Sequence, residues 1–192
     1  MIITAGKFKG RKVIAPDENI TRPTLSKVRM SVFNTLQSMI EFEGSSFLDM
    51  YAGSGIMGLE ALSRGFASVT AIEKNPKAAS IIKSNFKKFY VTPSPLEGEG
   101  AVVRAKRVTN AGEGLKLILA DSLKTAPKLD KFDVIYIDPP YFSGIYEKSL
   151  QAVKDIADGI IILEHVTEVD FQGFEVIKQK KYGDKFITFL RV

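Results

Sequence analysis

The sequence predicts an α/β fold: a mostly parallel sheet with helices on both faces and an antiparallel last strand. Three observations predict it. From Phe47 onward, short apolar runs alternate with amphipathic segments, the order that builds βαβ units. Gly53-Ser-Gly55 and Asn75-Pro76 punctuate that alternation where helices must begin. Near the end, two strand-like runs flank Gly183-Asp184, a pair suited to a tight hairpin.

The elements follow in chain order. The leader has Gly6, Gly10 and the apolar pairs Ile2-Ile3 and Val13-Ile14, consistent with a small hairpin or arm. Pro23 biases Arg22 away from helix. Thr24 or Ser26 can then cap a helix whose apolar face is Val28, Val32, Leu36 and Ile40. Phe33 and Met39 widen that face, Lys27 and Arg29 lie on its opposite side, and Gly44 ends the segment. Phe47–Tyr51 reads as a buried strand, followed by the glycine turn and a helix with Ile56, Leu59 and Leu62 inward, ending at Gly65. Ala67–Ile72 is the next strand. Asn75 caps a helix with Ala78, Ile82, Phe86 and Phe89 inward. Leu115–Leu119, Phe132–Ile137 and Gly159–Leu163 are further strands, and Phe174–Lys181 with Phe186–Val192 form the terminal hairpin. Residues 92–114 have no period and read as a mobile surface insertion. The chain thus divides into an N-terminal basic arm and helix, residues 1–45, and a main domain, 46–192.

Composition narrows the function. The chain has 192 residues, with 45% apolar and 26% charged side chains, an ordinary globular mix sized for one core. Without cysteine, thiolate zinc sites and thiol nucleophiles are excluded, and the single histidine, His165, argues against a histidine metal cluster. No apolar run approaches a membrane span. The expectation is a cytoplasmic monomer that uses no metal and no membrane. The net charge of +5 is concentrated in residues 1–29, which carry seven basic side chains against two acidic ones. A basic leader on a neutral body suggests a polyanionic partner, with a solvated, merely solubilising arm as the alternative.

Gly53-Ser-Gly55-Ile-Met-Gly58 fits the glycine fingerprint of nucleotide cofactors, with Glu73 twenty residues after Gly53. The glycines let backbone approach a ligand, and an acid ending the second strand accepts hydrogen bonds from ribose hydroxyls. Asp49 separates the candidates. A carboxylate ending the first strand repels a pyrophosphate on the following turn. It suits a cationic group, such as the amino-acid end of S-adenosylmethionine. Asp121, ending the third strand, can bind the adenine amino group.

Asp138-Pro139-Pro140-Tyr141 follows the apolar strand ending at Ile137, at the edge where parallel sheets bind ligands. An exocyclic amine on a nucleobase is a poor nucleophile because its lone pair is delocalised into the ring. The Asp138 carboxylate and the Pro139 carbonyl can each accept one amine hydrogen and aim the lone pair at a methyl donor. The prolines fix φ near −65° and bring no competing N–H. Tyr141 can stack on a single-stranded or flipped base.

With these pieces in place, the chain resembles class I S-adenosylmethionine-dependent methyltransferases with a Rossmann-like sheet. More narrowly, it resembles the RsmD family of 16S rRNA guanine-N2 methyltransferases. Arg22-Pro-Thr24 with the following helix points to that family, and Leu48–Gly55, Gly58–Gly65, Ile72–Lys74, Ala120–Ser122, Asp138–Tyr141 and Lys181–Gly183 keep its order. The resemblance implies a seven-stranded sheet and catalysis around Asp138, Pro139, Pro140 and Tyr141. Cofactor contacts are implied for Asp49, Gly53, Ser54, Gly55, Glu73, Asp121 and Ser122. The implied substrate is guanine N2 in the small ribosomal subunit or its assembly intermediate. Lys7, Lys9, Arg11, Lys12, Arg22, Thr24, Lys27 and Arg29 are then the expected RNA contacts near the catalytic edge, with Arg29 alternatively holding the cofactor carboxylate. Insertion 92–114 is longer than the family's usual link.

Other readings stay open at this point. A DNA adenine-N6 methyltransferase shares Asp-Pro-Pro-Tyr but needs a target-recognition region for which little chain is spare. A nicotinamide-dependent oxidoreductase fits the glycine turn yet leaves Asp49 and the prolines unexplained. A non-catalytic RNA-binding module predicts no turnover.

Overall fold

A computed structural model of the chain describes residues 1–16, 25–89, 114–140 and 144–192. The expected sheet is present with seven strands: β1 (Ser46–Asp49), β2 (Ser68–Glu73), β3 (Leu115–Leu119), β4 (Phe132–Ile137), β5 (Ala157–His165), β6 (Glu175–Tyr182) and β7 (Lys185–Arg191). Their order is β3-β2-β1-β4-β5-β7-β6. The first five are mutually parallel, and β7 runs antiparallel to both β5 and β6. Strands β1 to β5 therefore end at one edge, called here the carboxyl edge, and β6 ends there too.

Helices α1 (Ser26–Leu36), α2 (Ile56–Ser63) and α3 (Pro76–Phe89) cover one face, while α4 (Ser122–Thr125) and α5 (Tyr146–Val153) cover the other. Strand alternation divides the core accordingly. Phe47, Val134, Tyr136, Ile160 and Ile162 face the first layer, and Leu48, Ile135, Ile137, Ile161 and Leu163 face the second. Asn75 caps α3 as expected, its Oδ1 accepting from the amides of Lys77 (2.9 Å) and Ala78 (3.3 Å). Helix α1 differs: of the two expected caps Thr24 lies outside the described residues, and Ser26 is already inside the helix. Leu25 occupies the N-cap without a side-chain bond, because Ser26 Oγ instead accepts from Arg29 Nη2 at 3.1 Å.

The leader is a docked hairpin. Ile3 N–H donates to Arg11 O (3.0 Å) and Val13 N–H to Met1 O (2.9 Å), and Ile3 and Val13 are buried in the first-face core. Its tip is pinned to the last residue of α2: Lys7 N–H donates to Ser63 O (2.7 Å) and Phe8 N–H to Ser63 Oγ (2.9 Å). Arg11 lies over the Phe89 ring at 4.1 Å and donates to Lys88 O at 2.7 Å, at the last turn of α3. Both helices run back from the carboxyl edge, so their ends lie at the opposite, amino edge. This corrects the expected placement. Lys7 sits at the far end of α2 and Arg11 at the far end of α3 from the edge that carries Asp138.

Arg29 requires a second correction. It is 1% exposed, inside the protein instead of on the outer side of α1. Its Nε donates to Glu60 Oε1 at 3.1 Å and its Nη2 to Ile2 O at 2.7 Å. Glu60, itself fully buried on α2, also accepts from Thr4 N–H (2.9 Å), Thr4 Oγ1 (3.0 Å) and Arg64. Arg29 thus ties the leader to α1 and α2 through Ile2 O, Ser26 Oγ and Glu60.

Candidate active site

The glycine turn is built at the carboxyl edge by backbone that only glycine accepts readily. Gly53 and Gly55 have φ of 54° and 74°, the left-handed region, and Gly55 is the N-cap of α2. Gly58 is needed for space, since a Cβ there would stand 2.7 Å from Val69 Cγ1. Ser54 is buried, and its carbonyl accepts from Asn85 Nδ2 at 3.1 Å. Glu73 closes the turn: its Oε2 accepts from Gly53 N–H (2.9 Å) and its Oε1 from Asn75 N–H (2.7 Å). Each oxygen keeps a lone pair for a hydroxyl.

Asp49 is 1% exposed, and neither carboxylate oxygen has a hydrogen-bond partner among the described residues. Burial pushes its pKa up to about 8, and the charges of Asp138 and Glu73 push the same way. The amides of Gly58 and Tyr51 lie close enough to pull it partly back. A buried, unpartnered carboxylate is costly. The arrangement is completed by a ligand bearing a positive charge, so the residues present fit the amino-acid end of S-adenosylmethionine.

Asp121 is exposed at the start of α4, where its Oδ1 accepts from Lys124 N–H at 3.1 Å. Ser122 is buried, and its hydroxyl donates to Met50 O at 2.5 Å, tying the end of β3 to the end of β1. Asp138 is half-buried immediately after β4, Pro139 is buried and Pro140 is exposed. Tyr141, Arg22, Thr24 and residues 92–113 of the expected insertion lie outside the described residues. Lys27 is exposed in the first turn of α1, and Lys12 is exposed on the leader.

Three neighbours escaped the sequence reading. Glu164, fully buried near the end of β5, accepts from Tyr136 Oη and from Lys185 Nζ (2.5 Å). Burial raises its pKa well above the carboxylate range, and the charges of Asp138 and Asp49 add to that. Tyr136, two residues before Asp138 on the same face of β4, is pushed up by burial and then by Glu164. The available signal was Glu164's position directly after an apolar run, the position Asp49 and Asp138 also hold.

Known proteins are similar to this chain over most of its length. The family described as "Conserved hypothetical protein 95" matches residues 1–191. The Ribosomal RNA small subunit methyltransferase D of Escherichia coli K12 is 31% identical over 163 residues, 83% of this chain and 71% of that protein. The protein of the same name from Buchnera aphidicola (strain APS) is 32% identical over 153 residues, 80% and 69% respectively. The solved structure of yhhF from Escherichia coli superposes with a TM-score of 0.78 at 24% identity, covering 99% of this chain and 96% of that one. The glycine turn, the acids at the strand ends and the Asp-Pro-Pro motif therefore sit in a chain that belongs to the conserved hypothetical protein 95 family, the RsmD family of small-subunit rRNA methyltransferase D.

Proposed function

We propose that this chain transfers a methyl group from S-adenosylmethionine to guanine N2 of 16S rRNA in the small ribosomal subunit or its assembly intermediate. The observation that carries the proposal is the buried, unpartnered Asp49 carboxylate between the glycine turn and Asp138. When bound, S-adenosylmethionine supplies an electrophilic methyl on a sulfonium and a cationic amino group. Asp49 gives that amino group its counter-charge, and Glu73 offers its free lone pairs to ribose hydroxyls. Asp121 accepts from the adenine amine at the end of β3, with Ser122 holding that end in place through Met50. At the other side of the site, the Asp138 carboxylate and the Pro139 carbonyl accept the two hydrogens of the target amine. Its lone pair is thereby turned out of conjugation and toward the methyl. Pro140 stiffens the acceptors, and Tyr141 is assigned base stacking from its place in the motif. The names of the relatives support ribosomal RNA as substrate, and a nicotinamide cofactor would leave Asp49 facing a pyrophosphate.

Two measurements test this. Calorimetry should give S-adenosylhomocysteine binding and none for NAD; the reverse ranking would reject the assignment. Mass spectrometry of 16S rRNA from a strain lacking the protein should locate one missing guanine-N2 methyl. A full set of methyl groups would remove the substrate.

A further inference from the structure

We propose that the basic surface where the start of α1 meets the edge strand β6, carrying Lys27, Lys178 and Lys180, is the track along which substrate RNA phosphates approach the catalytic edge; this rests on the methyltransferase reading above. The sequence assigns phosphate contacts both to the leader, whose tip is at the amino edge, and to the start of α1, where Lys27 lies. The C-terminal hairpin lies differently. Strand β6 ends at the carboxyl edge, and α1 runs antiparallel to it: Tyr182 meets Ser31, while Lys180 reaches both Ser31 and Thr35. The first turn of α1, with Lys27, therefore lies at the carboxyl edge, one helical turn from Ser31 on the same side.

Alternation along β6 places Lys178, Lys180 and Tyr182 together on the α1 side of the sheet. Lys180 is the informative member. Its ammonium is held by two neutral hydroxyls, Thr35 Oγ1 at 2.6 Å and Ser31 Oγ at 3.3 Å. No carboxylate within the described residues pairs with Lys180, Lys178 or Lys27. With no carboxylate to compensate it, the Lys180 charge adds to the field of the exposed Lys27 and Lys178. Lysines on an edge strand also guard against aggregation, but a guard has no need to be pinned inward by two hydroxyls. In the strand order, β6 lies three strands from β4, about 14 Å. That is a span of a few nucleotides, the reach needed for a strand that delivers one base to Asp138.

The test uses the full chain with Lys27→Gln, Lys178→Gln and Lys180→Gln combined, and the double variant Lys27→Gln/Lys178→Gln, whose sites are exposed. Binding to unmethylated small ribosomal subunits is measured between 50 and 200 mM salt, alongside S-adenosylhomocysteine affinity. The expected result is a salt slope flatter by about 2 for the triple variant, near 0.7–0.9 per lost contact. The double variant should lose about two-thirds of that, and cofactor affinity should stay within about twofold. An unchanged slope in the double variant, with the wild type methylating the subunits, would overturn the basic track and leave the enzyme assignment standing. A wild type that neither binds nor methylates ribosomal RNA would overturn both.

Discussion

Asp49 is the residue whose energetics the molecule leaves unfinished. Its folded pKa near 8 stands far above the 3.8 of a free carboxyl, so the folded chain holds a proton that the unfolded chain has lost. The stability from that proton is complete below pH 4 and disappears as pH rises through about 8. Thermal melts without ligand should therefore show stability falling across pH 5–8, with a shallower fall in Asp49→Asn. A cationic ligand wants the ionised form, so S-adenosylhomocysteine should bind more tightly toward pH 8 and release protons on binding. Equal heats in buffers of different ionisation enthalpy would contradict this. Asp138 has a different task. Asp138→Ala should retain cofactor affinity while methyl transfer falls by about 100-fold or more, and near-normal turnover would remove Asp138 from the reaction.

At the scale of elements, sequence and structure agree wherever the signal was local. The acids at the ends of β1, β2 and β4 were legible because each directly follows an apolar run, and parallel topology delivers all strand ends to one edge. Asn75 was legible as a cap because its partners are two and three residues away. Arg29 was not, since its burial depends on Glu60, 31 residues distant. The leader's location was equally hidden: charge counting found the basic residues, but only docking on Ser63 decides which edge they occupy. Neutralising Lys7 and Lys9 should consequently flatten the salt dependence of RNA binding less than the α1–β6 double variant does, measured on the same subunits. Helix α2 offers a packing test. Gly58→Ala drives a methyl into Val69 and should cost roughly 1–3 kcal/mol, read from denaturant midpoints.

Taken whole, the molecule separates its chemistry from its fastening. The carboxyl edge collects Asp49, Glu73, Asp138 and Glu164. The first-face core extends without a break from the leader's Ile3 and Val13 through α1 and α2 to the sheet. Residues 1–16 and 25–36 thus share one interior with the strands, and the expected extension is physically a wall of the main body. Glu60→Ala would leave Arg29 buried beside the vacated carboxylate position, at a cost of about 3–5 kcal/mol. A global unfolding transition that kept its midpoint would refute that hub.

The hub at Glu60 also governs how the protein can be dissected. Trimming the first sixteen residues would not shave off a tail. It would strip Thr4 and the Ile2 carbonyl from a buried cluster of two guanidinium groups and one carboxylate and open the interior beneath Ile3 to water. A shortened chain that failed to act on RNA would then report collapse of the scaffold, and only point changes of charge can ask what the leader touches.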